Sequence, residues 1–186
     1  MKIGEIAEIR TGYSFREAIV ASKNGDLPVI QFKDVGEIAV SSTKSCICIS
    51  SAKIKPSHFL KFDDVLLSNR GNYKSSVFKC YENCIASGVF FVLTMKNNKF
   101  LPEFVATYLN SNVGQNKLLA RQNQSGLKAI IRSELEQIEI PDIPLEKQKK
   151  IVEFYSLHQK EVEIIEKIQQ NKKKLVDFII SKEFKE

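Results

Sequence analysis

The sequence predicts an α+β fold: a globular, mixed-sheet domain over residues 1–144, followed by one long helix over residues 145–186. Three observations predict it. Strand-like runs and short helical patterns are mixed along the first part of the chain, without the regular alternation of a doubly wound sheet. Pro141 and Pro144 then interrupt the chain directly after the apolar run that ends at Ile140. Beyond Leu145 neither glycine nor proline occurs, and charges fill nearly half of the positions.

The elements follow in chain order. Between Lys2 and Ile9, the apolar residues Ile3, Ile6, Ala7 and Ile9 suit a short helix or an entry strand. Thr11-Gly-Tyr-Ser-Phe15 reads as a turn with an aromatic anchor. Leu27 to Phe32 and Cys46 to Ile49 are short and strand-like, joined by turn-prone residues. Phe62-Asp-Asp-Val-Leu-Leu67 is a turn that enters a strand, and Ser68 to Lys74 is a polar loop with a glycine. A hairpin partner is expected around Val77 to Cys80. Ile85 to Met95 reads as one strand, too apolar to be exposed on either face. Pro102 opens an amphipathic helix carrying Phe104, Val105, Tyr108 and Leu109, and a second short helix covers Val113 to Ala120. Arg121 to Gly126 reads as a polar loop closed by glycine. Ser133-Glu-Leu-Glu136 has helix-capping chemistry, and Ile138 to Ile140 returns to strand. The prolines end that strand, because each fixes its own φ and biases the residue before it away from helix.

A heptad with position a at Ile151 places His158, Ile165, Lys172 and Ile179 at the later a positions. Position d then holds Phe154, Glu161, Ile168, Leu175 and Lys182. Most of these are apolar, which is the pattern of a helix that pairs. About 37 helical residues would extend roughly 55 Å. Either the helix's own domain or another helix could cover such a stripe. A domain of this size cannot cover all of it, so pairing is favoured. The expected pairing set is Ile151, Phe154, Tyr155, His158, Val162, Ile165, Ile168, Leu175 and Ile179. Polar members such as His158 would fix the register.

With 43% hydrophobic and 27% charged residues in a chain of 186, the composition is that of a globular protein. The longest apolar run, Ile85 to Met95, is about half of a membrane span. The amino terminus lacks the apolar stretch of a signal peptide. No membrane partner and a cytoplasmic location are therefore expected. Cys46, Cys48, Cys80 and Cys84 lack the two-residue gap of a zinc knuckle, so reduced thiols are expected rather than a metal site. His58 and His158 have no metal-ligand neighbour at useful spacing. Nucleophile elbows, phosphate-binding loops, dinucleotide fingerprints and methyl-donor sites are all missing from the sequence. The chain reads as a binding module with no catalytic residues and no cofactor of its own.

The net charge of +6 is unevenly distributed. Ile38 to Phe62, Val65 to Tyr81 and Phe104 to Ser133 contain lysines or arginines but no acid. Windows of this kind suit a surface that meets phosphate, since a carboxylate there would repel it. Two polar segments stand within them, Ser68-Asn-Arg-Gly-Asn-Tyr-Lys74 and Arg121-Gln-Asn-Gln-Ser-Gly-Leu-Lys128. Arginine can bind guanine bidentately, and Asn or Gln can bind adenine. Lysines and hydroxyls hold phosphates and set the register. The candidate DNA contacts are Lys33, Asn69, Arg70, Asn72, Tyr73, Lys74, Arg121, Gln122, Gln124, Ser125, Lys128 and Arg132. The alternative is a coiled-coil scaffold without DNA readout, because Asn, Ser and Gly are also plain loop formers.

Five segments in order resemble the specificity subunit of type I restriction–modification enzymes. They are Ile3-Gly-Glu-Ile-Ala-Glu-Ile-Arg-Thr-Gly12, Asp64-Val-Leu-Leu-Ser-Asn-Arg-Gly71 and Ile85-Ala-Ser-Gly-Val-Phe-Phe-Val-Leu93, then Ser125 to Ile131 with Leu135 to Pro141, and Pro144-Leu-Glu-Lys-Gln-Lys-Lys-Ile151. The resemblance implies a non-catalytic reader of double-stranded DNA, built as one target-recognition domain with one spacer helix. Full-length members carry two such domains separated by two antiparallel helices, and each domain reads half of a split sequence. The resemblance further implies docking of adenine methyltransferase subunits that use S-adenosylmethionine, and of a motor-nuclease subunit. One domain with one helix looks like a half-length subunit, which could restore the layout as a homodimer through an antiparallel coiled coil.

Overall fold

Alternation along β8 (Phe90–Met95) organises the domain, because its side chains point alternately to opposite faces. Phe91 and Leu93 enter one core, while Phe90 and Val92 enter another. In the computed structural model, residues 1–22, 24–36, 38–71, 73–125 and 129–184 are described. β8 pairs antiparallel with β1 (Ala7–Thr11) on one side and β5 (Val65–Ser68) on the other. β5 pairs antiparallel with β6 (Ser75–Phe78), which pairs in parallel with β3 (Ala39–Val40). The resulting five-stranded sheet has the order β1-β8-β5-β6-β3. β5 lies at its centre and is buried on both faces. A second sheet has the order β4-β2-β7, built from β4 (Ile47–Ile49), β2 (Leu27–Ile30) and β7 (Ile85–Ala86).

The layers follow from these faces. Four helices supply the core on one side of the large sheet: α1 (Ile3–Ile6), α2 (Pro102–Asn110), α3 (Asn112–Ser125) and α4 (Arg132–Glu136). Phe104, Val105, Leu109, Leu118 and Leu135 pack there against Val65, Leu67, Phe91 and Leu93. The opposite face meets the small sheet, where Ile30 and Ala86 pack with Leu66, Phe78, Phe90 and Val92. Each large apolar side chain buried this way contributes about 1.5–3 kcal/mol.

The helical onset and the strand reading near the start are both present, since α1 runs directly into β1. Three expectations are corrected. The run from Ile85 to Met95 is two strands in two sheets, turned at Ser87 where the Phe90 amide donates to the Ser87 carbonyl at 3.1 Å. Its hydrophobicity on both faces arises because each strand sends alternate side chains into different cores. α3 extends to Ser125, so 121–125 is helical rather than loop. Near Ile138 to Ile140 only a single bridge forms, between Lys2 and Glu139.

Two local features brace the domain. Gly12 lies so close to the second sheet that an added Cβ would stand 2.1 Å from the Ser87 carbonyl oxygen. Asp64 is buried at the entrance to β5, and Asp63 before it takes a left-handed φ of 71°. The Asp64 carboxylate accepts from Arg10 Nη2 at 3.0 Å, Thr94 Oγ1 at 2.5 Å and the Lys61 amide at 2.9 Å. It is thus fully occupied with structural partners.

The chain divides into two compact units, Met1–Val152 and Glu153–Glu186. α5 (Leu145–Glu183) begins in the first of them. There Gln148 is fully buried: its Oε1 accepts from the Leu101 amide, and its Nε2 donates to the Lys99 and Ile143 carbonyls, each at 2.9 Å. Val152 packs against the main core. The second unit is helical and carries a series of exposed apolar side chains, including Phe154 (76% exposed), Leu157, Ile165, Ile168, Leu175 and Ile179.

Candidate functional site

β5 ends and β6 begins at the same end of the large sheet, and the polar segment between them turns there. Ser68 donates its amide to the Lys74 carbonyl at 2.9 Å and accepts from the Lys74 amide at 2.8 Å through Oγ. Gly71 supplies the left-handed residue at φ 71°, which a side chain would resist. Asn110 of α2 fixes the start of β6, accepting from the Ser75 amide and donating to its carbonyl, both at 2.8 Å. The loop is therefore tied down at both ends.

Ala129 and Ile130, which follow the other polar segment in sequence, are joined to it by backbone pairing. Arg70 forms an isolated antiparallel bridge with Ala129, and the Ile130 amide donates to the Asn69 carbonyl at 3.0 Å. Two stretches some sixty residues apart are joined at the sheet end.

A cleft of about 430 Å³ opens beside Arg70, walled by residues 14, 15 and 17–19, by Gln31 and Phe32, and by the 87–89 turn. Its walls are stitched together. The Tyr13 amide donates to the Ala86 carbonyl at 2.7 Å, and the Ser87 amide to the Ile30 carbonyl at 3.0 Å. Asn69 holds the turn twice, its amide on Val89 O at 2.9 Å and its Nδ2 on Gly88 O at 3.1 Å. The buried atoms Gln31 Nε2 and Asn69 Oδ1 have no hydrogen-bond partner among the described residues.

The expected contact residues are placed as follows. Arg70 is exposed and in no ion pair among the described residues, and Lys33 is exposed in the 3-10 turn Phe32–Asp34 beside the cleft. Asn69 acts internally through its Nδ2, and Lys74 is half-buried. Tyr73 is not on the surface: it is 3% exposed in the main core, and burial pushes its phenol up. Arg121 on α3 pairs with Glu134 at 3.2 Å, and Arg132 on α4 pairs with Glu136 at 2.8 Å. Arg132 lines a different cleft, together with Arg10 and Lys61. Gln122 is half-buried on α3. Asn72 and Lys128 lie outside the described residues, as do the side chains of Gln124 and Ser125.

The sequence signal overlooked Gln31, Phe32 and Glu17, which reach the cleft from segments assigned to core strand and turn. An exposed phenylalanine directly after a strand was the available hint. It also overlooked Glu134 and Glu136, which stand just beyond the acid-free window and face its arginines.

The thiols are free, with Cys80 and Cys84 buried and Cys46 and Cys48 half-buried. Burial first, then nearby Asp34 and the neighbouring thiols, pushes Cys46 up to about 12. Burial and the same cysteine cluster push Cys84 up to about 12. Among the described residues no group of three or more His, Cys, Asp or Glu side chains is placed to hold a metal. No described helix is long and apolar enough to cross a membrane.

Comparison with known proteins gives a consistent pattern. A family model of the type I restriction modification DNA specificity domain matches residues 1–173. A chain solved in work on complex assembly and conformational transition of the type I R-M system superposes with a TM-score of 0.71 at 22% identity, over 96% of this chain and 42% of that one. The HsdS subunit of Thermoanaerobacter tengcongensis gives 0.61 at 21% identity, over 90% and 38%. The S subunit of a type I restriction–modification system from M. genitalium gives 0.53 at 14% identity, over 98% and 43%. These likenesses show a shared fold. The chain spans less than half the length of each of those structures. No curated protein matches the sequence.

Proposed function

Because the chain belongs to the type I restriction–modification DNA specificity domain family, we propose that it reads one half of a split DNA target and docks adenine methyltransferase subunits. The observation that supports this reading is the pairing of Asn69 and Arg70 with Ala129 and Ile130, which joins the two acid-free windows at one sheet end. Arg70 is the exposed base reader on this view, and Lys33 and Lys74 hold phosphates.

Residues 1–144 form the recognition domain and 145–186 the spacer and dimerisation region. The exposed apolar side chains of α5 support pairing with a second copy as an antiparallel coiled coil. A two-fold arrangement of that kind reads an interrupted palindrome. The chain contributes recognition and no catalytic group. S-adenosylmethionine is the cofactor of the partner methyltransferase, a motor-nuclease subunit joins the assembly, and the setting is the cytoplasm.

Co-expression with the methyltransferase subunit, followed by mapping of methylated adenine, tests the function. Methylation at one split motif only when this chain is present is the expected result. An identical map with and without the chain would refute it. The exposed helix by itself favours the scaffold reading, which predicts weak salt dependence and no effect of Arg70→Ala. DNA reading predicts a steep fall of affinity with salt and a loss of about 1–3 kcal/mol on that substitution.

A further inference from the structure

The cleft beside Arg70 has the chemistry of a reader of a particular base pair. Its donor is the exposed Arg70 guanidinium, which is in no ion pair among the described residues. Glu17 is exposed and supplies a carboxylate acceptor to the same cleft. Phe32, 45% exposed, adds an aromatic ring to its lining.

In the major groove a G·C pair presents two acceptors on guanine, N7 and O6, and one donor on cytosine, the N4 amino group. A guanidinium, which only donates, matches the two guanine acceptors and clashes with adenine, whose edge pairs an acceptor with a donor. We propose that this cleft is a subsite for a single G·C pair, with Arg70 donating to both guanine acceptors and Glu17 accepting from cytosine. The proposal rests on the DNA-reading function and adds its target chemistry. Phe32 packs beside the neighbouring step. The subsite is preorganised, because Asn69 and the close approach at Gly12 hold its walls before DNA arrives.

Selection of bound duplexes from a random library, using the full chain and its Arg70→Ala and Glu17→Ala variants, tests the assignment. Thermal melts confirm that each variant is folded. The wild-type chain should enrich a half-site with one invariant G·C pair. Each variant should make that position degenerate while keeping the others, with affinity for the wild-type site reduced about 5- to 150-fold. A half-site that keeps its guanine in the Arg70→Ala variant overturns the subsite and leaves DNA reading intact. So does a half-site in which the affected position is A·T. A wild-type chain that enriches no sequence overturns DNA reading itself, and the subsite with it.

Discussion

Gln148 and Cys84 show how far one side chain can be held to account. Gln148→Ala removes the partners of the Leu101 amide and of two carbonyls in a site that water does not reach. Urea denaturation should show a loss on the order of 3 kcal/mol, whereas substitution of exposed Gln169 should change little. Cys84 makes a prediction in pH. Its thiol is raised from 9.0 to about 12 in the folded chain, chiefly by burial. Below about pH 9 both states keep the proton and the contribution is constant. Between the two values the unfolded chain ionises while the folded one does not, so stability falls by about 1.4 kcal/mol per pH unit. Cys84→Ala lacks this slope. Its deficit relative to wild type, measured by urea midpoints near pH 8, should narrow by about pH 10.5. Chemistry at this scale was partly legible in the sequence. Arg70 was visible as a cation in an acid-free window. Tyr73 was misplaced because an aromatic side chain in a polar loop looks alike whether it faces solvent or core. Arg121 looked available because its partner Glu134 becomes a neighbour only when α3 and α4 pack, and Arg132 because its partner Glu136 is brought round by one turn of α4 itself.

At the level of elements, patterns with a period were the ones the sequence could express. α2 and α5 were legible from their three-and-four spacing and from the proline at the start of α2. The partition of Ile85–Met95 between two sheets was not, because a strand buried on both faces loses the alternation that marks a single face. The turn within it depends on close packing. Gly12→Ala should therefore be severe: the new methyl would meet the carbonyls of Ser87 and Ala86, both backbone, and neither can swing aside. A drop of several degrees in Tm, on the order of 2–3 kcal/mol, is expected by calorimetry. In α5 the apolar side chains at 165 and 168 are half exposed. If the helix pairs, the double substitution Ile165→Asp and Ile168→Asp should weaken the dimer by at least about tenfold. Sedimentation velocity at micromolar concentration reads this directly, with the folded domain's thermal transition unchanged as the control.

For the whole molecule, the division at Val152 makes a separate statement. All described buried side chains of the apolar cores precede that point. A chain ending after Val152 should therefore melt cooperatively within a few degrees of the full chain, and sediment as a monomer. A peptide of residues 153–186 should show concentration-dependent helicity in circular dichroism, because a single helix of that length gains most of its stability from packing. The overall plan was legible in the sequence because prolines and a change of composition mark the boundary. The compact unit runs past the start of α5 to Val152, since Gln148 and Val152 join the core through contacts no local pattern announces. The bridge between Arg70 and Ala129 has a bearing on how such a reader could be re-aimed. A graft of residues 69–74 from a relative would arrive without the strand it leans on, and so would a graft of 129–132 alone. New specificities should be transplantable only when both segments travel together, which makes the exchangeable unit a discontinuous one.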